Sequence, residues 1–389
     1  MITPLIKVRN LLSKNPSAGG FDAILISSVS NIIYFTNYSG FSKDEREAYL
    51  FITKNQQYIL TDGRYTAAVK TLIPDFKLIE ISSKFSFEKA LKNLTKKHKI
   101  KKVGFEGKNI SFLEHKKLLK CFDDSNHRDL DSLRSVKTSD EILKIEKACE
   151  LGDKTFKYIL KEIKLGVSEK ELAVKIELFI KQNLADISFP PIVAFGANSA
   201  IPHHQVTNSK LANNQIVLLD FGVKLDNYCS DMTRTVFFGS AKAEFRRIYE
   251  IVLTSQQKAI QQFNNLTKRQ LEKGIKASEI DKIARNYIIS KGYSTIPHSL
   301  GHGIGLEVHE GPHLSPKSKD ILKEGMVFSI EPGIYLPAEA LALPEPLAKR
   351  RSAKEGIPNF GGVRIEDLAV LEKNKLRLLT HSPKNLIEL

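Results

Sequence analysis

The chain has 389 residues, 42% of them hydrophobic and 26% charged, and carries a net charge of +15 at pH 7. That length exceeds one ordinary core and favours two domains, and the apolar share excludes a disordered chain. No stretch approaches the roughly 20 apolar residues of a membrane helix, and Lys7 and Arg9 interrupt the apolar N-terminus, so neither a bilayer span nor a secretory leader is expected.

The first third alternates strands and helices. Ala23 to Ile26 reads as a strand after Gly19-Gly20, and Ala48 to Thr53 and Gln57 to Thr61 read as two more joined by the turn Lys54-Asn55-Gln56. A helix over Tyr65 to Leu72, a strand over Lys77 to Ile81, a helix over Phe87 to Lys97, a strand over Lys102 to Phe105 and a helix over Ser111 to Cys121 complete an α/β domain. The polar stretch Asp123 to Asp131 reads as a linker, which sets the domains at 1–131 and 132–389. Beyond it, Thr138 and Glu141 form a capping box opening a helix to about Ile163, and Ser168 and Glu171 form another opening a helix to about Asn183. Two further helices fall at Lys242 to Phe263 and Ser278 to Lys291. Strands are expected at Ile192–Phe195, Ile216–Lys224, Tyr228–Phe238, Met326–Ile330 and Val363–Leu371. The second domain is therefore α+β.

The basic charge is densest from Lys92 to Lys102, but that run has no interleaved aromatic row. It reads as a solvated lysine-rich surface rather than a nucleic-acid footprint. Cys121, Cys149 and Cys229 are scattered, with no CxxC. They suit small buried side chains in a reducing cytoplasm better than a disulfide framework or a zinc finger.

Five short motifs carry acidic or imidazole groups among apolar or glycine neighbours: Asp220, Asp231, His302, Glu331 and Glu366. Four buried carboxylates would repel one another strongly, and two divalent cations would bring them near neutrality. Asp220 and Asp231 lie eleven residues apart around Leu225-Asp226-Asn227. A hairpin symmetric about Leu225-Asp226 would set them face to face, although two exposed strand aspartates would fit the same spacing. His302 sits between Gly301 and Gly303, which allows close approach of backbone and metal. Glu331 precedes Pro332-Gly333 at a strand end, and Glu366 follows Arg364 by two positions, placing both on one strand face. Arg364 can orient or neutralise a carboxylate there. His203 stands in the loop before the Asp220 strand and can hydrogen-bond a carbonyl or the oxyanion formed from it, while His204 beside it reads as exposed. Taken one at a time, each residue also fits an ordinary surface or structural role.

In this order, the five motifs resemble those of the M24 metallopeptidase family, which includes aminopeptidase P, prolidase, methionine aminopeptidase and creatinase. The resemblance covers nearly the whole chain. It implies a creatinase-like N-terminal domain followed by a pita-bread catalytic domain. It further implies that Asp220, Asp231, His302, Glu331 and Glu366 hold two divalent ions, Mn²⁺ first, with Co²⁺, Fe²⁺ or Zn²⁺ as alternatives. Asp231 and Glu366 would bridge the ions. Glu331 would also shuttle the proton, His203 and His309 would contact the substrate and transition state, His298 would be a further active-site histidine, and Arg364 would stand behind the ligands. The activity implied is hydrolysis of Xaa-Pro bonds at peptide N-termini by a hydroxide bridging the metals, in a cytoplasmic homodimer. Prolidase action on dipeptides is the alternative within the family, and a catalytically inactive peptide-binding relative is the alternative outside it. Two departures stand out: an insertion from Pro337 to Phe360 containing Lys349-Arg350-Arg351, and His313 where many relatives carry arginine near the substrate's far end. The insertion could serve as a lid, a partner-binding loop or a loose excursion.

Overall fold

The computed structural model describes residues 4–12, 20–122, 124–265, 274–336, 361–373 and 375–389. The insertion from Pro337 to Phe360 lies outside the described residues. The chain divides into two compact units, residues 1–134 and 135–389.

The first unit is built on a six-stranded sheet ordered Lys77–Ile81, Gln57–Asp62, Ala48–Thr53, Ala23–Ile26, Lys102–Phe105, Asp124–His127. The three strands from Gln57–Asp62 through Ala23–Ile26 pair antiparallel, and the remaining pairs are parallel. Ala48–Thr53 and Ala23–Ile26 are buried along their whole length, as β-branched and aromatic residues inside a covered sheet should be. The segment expected as a linker supplies the edge strand Asp124–His127. Its polar residues have poor strand propensity. Backbone pairing with Lys102–Phe105 and the contact of Lys102 Nζ with Asp124, 3.2 Å, hold it instead. Sequence reasoning also leaves out the helix Val29–Thr36, which is almost wholly buried and capped by Ser28. In the helix Phe112–Leu118, Glu114 accepts from Ser111 N at 2.8 Å, Arg46 Nε at 2.9 Å and Tyr49 OH at 2.8 Å.

The second unit runs through the same kind of sequence twice. The helices Ser139–Ile159 and Glu169–Gln182 precede the strands Ile192–Phe195, Gln215–Phe221 and Met232–Phe238. The helices Ala243–Gln262 and Ala277–Ser290 precede a five-stranded sheet ordered Glu310–Leu314, Gly301–Gly303, Val327–Ile330, Asp367–Glu372, Lys375–Leu378. Both capping boxes form, at Thr138 with Glu141 and at Ser168 with Glu171. One apolar cluster joins the first helix pair to its strands through Ile159, Leu172, Ile176, Val217 and Val236. A second joins the other pair through Ile248, Val252, Ile280, Phe328 and Val363. Burying these faces is the main force holding the helices against the sheets.

Two sequence expectations shift here. The hairpin turns at Asp226 and Asn227, whose φ values of 48° and 71° are both left-handed, as a two-residue type I′ turn requires. Asp220 therefore pairs with Thr233, not with Asp231. A two-residue shift keeps the strand's facing, so the aspartates stay on one side. The expected single strand through Glu366 is also two strands: Gly361–Arg364 pairs with Gly333–Leu336, and Asp367–Glu372 pairs with Val327–Ile330. Ile365 and Glu366 lie where the chain passes from one sheet to the other.

Candidate active site

His203, Asp220, Asp231, His298, His302, His309, Glu331, Arg364 and Glu366 all line one cavity of about 530 Å³ in the second unit. His313 lines it as well, and Phe189, Ile192 and Val308 supply an apolar wall that sequence reasoning did not single out. Each acidic group arrives on a different piece of chain. Asp220 comes from Gln215–Phe221, Asp231 from just before Met232–Phe238, Glu331 from just after Val327–Ile330, and Glu366 from the passage between sheets. The glycines flanking His302 are needed for backbone contact. A Cβ on Gly301 would lie 2.0 Å from Ser329 O, and one on Gly303 would lie 2.1 Å from Gly311 O.

The carboxylates are buried and crowded. Burial, then the charges of Glu366 and Asp220, push Asp231 well above the usual carboxylate range. Burial, then Glu366, does the same to Glu331, and Glu366 itself rises to about 8 through burial and the Asp220 charge. Asp220 Oδ1, Asp231 Oδ1 and Glu366 Oε1 are buried with no hydrogen-bond partner in the protein. Native folds rarely leave such atoms unsatisfied without a functional reason. Ligand atoms of Asp231, His302 and Glu366 lie within 4.8 Å of one another.

His302 has the chemistry of a metal ligand. Its Nδ1 is 3.1 Å from Gly303 O and must donate to it, so Nε2 keeps its lone pair. That Nε2 is 3.4 Å from Glu331 Oε1 and 3.6 Å from Asp231 Oδ2, separations suited to atoms sharing one cation. Burial, then the neighbouring His309, lowers the His302 pKa to about 3 and keeps the ring neutral. An oxygen-rich set with one imidazole fits a hard or borderline divalent cation. The residues present therefore fit divalent metal.

Around these groups runs a second layer of contacts. The Arg364 guanidinium donates to Asp220 Oδ2, to Thr233 Oγ1 at 3.0 Å, to Tyr335 OH at 2.8 Å and to Pro202 O at 3.1 Å. Thr233 Oγ1 in turn donates to Glu366 Oε2 at 2.8 Å. So Arg364 grips Asp220, while Thr233 orients Glu366. Tyr335 hydrogen-bonds His298 Nε2 at 2.9 Å, and His298 Nδ1 lies 2.7 Å from Ser299 O. The carbonyl requires a proton on Nδ1, so His298 Nε2 accepts from Tyr335, whose oxygen accepts from Arg364. Burial lowers the His298 pKa to about 4, consistent with that neutral ring. Ser329 Oγ accepts from His302 N at 3.1 Å and donates to Glu331 Oε1 at 3.2 Å.

Buried polar side chains on the helices and on a neighbouring strand hold the site's backbone. Gln256 Nε2 donates to Ile330 O at 3.0 Å and to Ile365 O at 3.2 Å, the residues just before the two glutamates. Asp281 accepts from Leu300 N at 3.2 Å, and Arg285 donates to His298 O at 2.9 Å. Arg234, 1% exposed, donates to the Glu366 carbonyl and to Asp367. Lys137 pairs with Glu310, beside His309, at 2.8 Å, with both side chains 1% exposed. His204 is buried, contrary to its expected exposure, because its Nε2 is 2.9 Å from Glu169 Oε2. Tyr335, Thr233, Gln256 and Glu169 have no local signature in the sequence. Only their long-range partners mark them.

Two family descriptions match the chain: the creatinase/prolidase N-terminal domain over residues 9–136, and metallopeptidase family M24 over residues 143–373. A Xaa-Pro dipeptidase of Pyrococcus horikoshii is 35% identical, with 98% of this chain and 97% of the relative covered. Among solved structures, a Xaa-Pro dipeptidase from Bacillus anthracis superposes with a TM-score of 0.85 at 30% identity, covering 99% of both chains. An X-Pro aminopeptidase from Thermotoga maritima gives a TM-score of 0.78 at 31% identity, covering 95% of this chain and 98% of its own. The second unit is thus the pita-bread fold and the first the creatinase-type domain, and the chain belongs to metallopeptidase family M24, in its aminopeptidase P and prolidase branch.

Proposed function

We propose that the chain is a Xaa-Pro aminopeptidase, hydrolysing the bond before a proline in second position, with Asp220, Asp231, His302, Glu331 and Glu366 holding two divalent ions, Mn²⁺ foremost. The observation that carries the reading is the convergence of unpartnered Asp220, Asp231 and Glu366 oxygens with the free Nε2 of a neutral His302. Divalent metal bound there lowers the pKa of water to near neutrality and polarises a carbonyl.

The chain's own groups do the rest. Glu331, an ionised carboxylate lining the cavity beside His302, takes a proton from the attacking water and returns it to the departing proline nitrogen. His309 is kept neutral by burial and by the nearby His203, and its N–H, with that of His203, is placed to stabilise the carbonyl oxygen as it gains charge. Phe189, Ile192 and Val308 offer an apolar wall to the substrate's side chains.

Action on longer peptides is favoured over dipeptides by the cavity's cations. Among its described lining residues Arg364 is the one Arg or Lys, and its guanidinium is taken up by Asp220, Tyr335, Thr233 and Pro202. Among the described lining residues no lysine or arginine is left to grip the carboxylate of a two-residue substrate. A cleavage panel tests this: Xaa-Pro dipeptides against longer Xaa-Pro peptides, each with Mn²⁺, Co²⁺ and Zn²⁺. Release of the first residue from longer peptides is expected. Turnover of dipeptides alone would move the assignment to prolidase, and no turnover with any metal would favour a peptide-binding protein. The reading also has the chain act as a cytoplasmic homodimer. Its three free, buried cysteines suit a reducing compartment, and sedimentation as a monomer at micromolar concentration would count against the dimer.

A further inference from the structure

We propose that Glu169 is a positioning residue for His203, through a hydrogen-bond hub that closes the loop carrying it; this rests on the proposed role of His203 at the substrate. Glu169 is the first residue of the helix Glu169–Gln182, yet it takes no part in capping that helix. Ser168 and Glu171 perform the cap. The Glu169 side chain is completely buried and receives five donors from the chain between Phe195 and Thr207. Phe195 N at 2.9 Å and Asn198 Nδ2 at 2.8 Å reach Oε1. His204 Nε2 at 2.9 Å, Thr207 N at 2.9 Å and Thr207 Oγ1 at 2.6 Å reach Oε2. An ionised carboxylate offers about four lone-pair sites, so this one is saturated.

The donors come from both ends of the loop. Phe195 and Asn198 stand where it leaves the strand Ile192–Phe195, and Thr207 stands where it returns. Backbone bonds from Glu169 N to Ser209 O at 3.1 Å and from Lys170 N to Thr207 O at 3.2 Å tie the return to the same helix end. The two neighbours of His203 are fixed separately. The Pro202 carbonyl is held by Arg364 at 3.1 Å, and His204 by Glu169. His204 is buried beneath the loop, while His203 is exposed and lines the cavity. The alternation that puts one imidazole in the cavity thus depends on the other being captured below. A buried carboxylate is a costly way to hold a loop unless its geometry matters, since apolar packing would hold it more cheaply.

The test is a double-mutant cycle in the full-length, metal-loaded protein with a Xaa-Pro peptide. Glu169→Gln is nearly isosteric but turns an acceptor into a donor on one side of the hub. It should lower kcat about ten- to a hundredfold, with little change in KM and unchanged metal stoichiometry. In a His203→Ala background the same substitution should cost almost nothing further. His204→Asn, which removes a single arm, should give a smaller loss that also disappears in that background, and it serves if Glu169→Gln fails to fold. Additive losses, or loss of metal in Glu169→Gln, would overturn the positioning role alone. Near wild-type turnover by His203→Ala would overturn the substrate role of His203 and the inference with it.

Discussion

Thr233 Oγ1 donates to Glu366 Oε2 at 2.8 Å, leaving Glu366 Oε1 as the carboxylate's unpartnered oxygen. The hydroxyl therefore fixes which oxygen is offered to a cation. Thr233→Val keeps the shape and removes the donor. Metal affinity should fall about ten- to a hundredfold, as is usual when such a supporting bond is lost. Calorimetric titration of the metal-free protein measures it, and an unchanged Kd would show that Glu366 needs no such support.

Metal uptake should release protons. Asp231, Glu331 and Glu366 all hold protons more tightly than ordinary carboxylates when no cation is present, and cation binding requires them ionised. Proton release per metal should be greatest at pH values below the Glu366 value of about 8 and should fall above it. Titrations in buffers of different ionisation enthalpy report the number released. Heats independent of buffer would contradict the raised proton affinities.

Tyr335→Phe removes the hydroxyl between Arg364 and His298 while keeping the ring. A bond of this charge-assisted kind contributes about 1.5–3 kcal/mol, so turnover should drop roughly tenfold or more with the fold intact. Metal stoichiometry should match the parent, while the thermal midpoint should fall by a few degrees as the buried Arg364 donor loses its acceptor. Unaltered turnover would show that His298 does not depend on Tyr335.

Lys137→Met takes the cation from the buried Glu310 beside His309. Breaking a buried pair from one side costs about 3–5 kcal/mol. Replacing both partners, Lys137→Met with Glu310→Gln, should recover a large part of that loss. Denaturant unfolding compares the two, and equal stabilities of single and double variants would argue against the pair's importance.

Glu114 gives the first unit a pH-dependent contribution. Burial alone would raise its pKa, but Arg46, the Ser111 N–H and Tyr49 together bring it to about 2. A depressed folded value stabilises above the ordinary pKa, so the contribution is full above about pH 4.5 and disappears as pH falls through about 2. Glu114→Gln should destabilise by about 1–3 kcal/mol at pH 7, after allowance for a side chain still partly in solvent. The gap between parent and variant should close on acidification. A gap that stays constant from pH 7 to pH 2 would contradict the depressed value.

Much of this cavity's lining was legible in the sequence because its acidic groups are polar where their neighbours are not. Asp220 after Val217-Leu218-Leu219 and Glu331 after an apolar strand stand out for that reason, and both line the cavity. The strands Ala23–Ile26, Ala48–Thr53 and Ile192–Phe195 were legible from their continuous apolar runs. The Asp226-Asn227 turn was harder, since adjacent Leu225-Asp226 fits a two-residue turn almost as well and only positive φ at both positions decides between them. The edge strand Asp124–His127 was illegible because its backbone pairing, not its side chains, makes it a strand. Glu169 and Gln256 were illegible for a further reason. Glutamate in a first helical turn and glutamine within a helix are ordinary, and their meaning lies in partners that arrive from distant parts of the chain.

The Gln256 side chain joins the backbone at Ile330 to the backbone at Ile365, so the last of the acidic groups is set in place from a residue 109 positions earlier. A polypeptide still emerging from the ribosome has no Glu366 to offer until almost all of its second unit has been synthesised. The two glutamate-bearing segments are therefore clamped to one another only after the chain has grown past Glu366 and folded back onto Gln256.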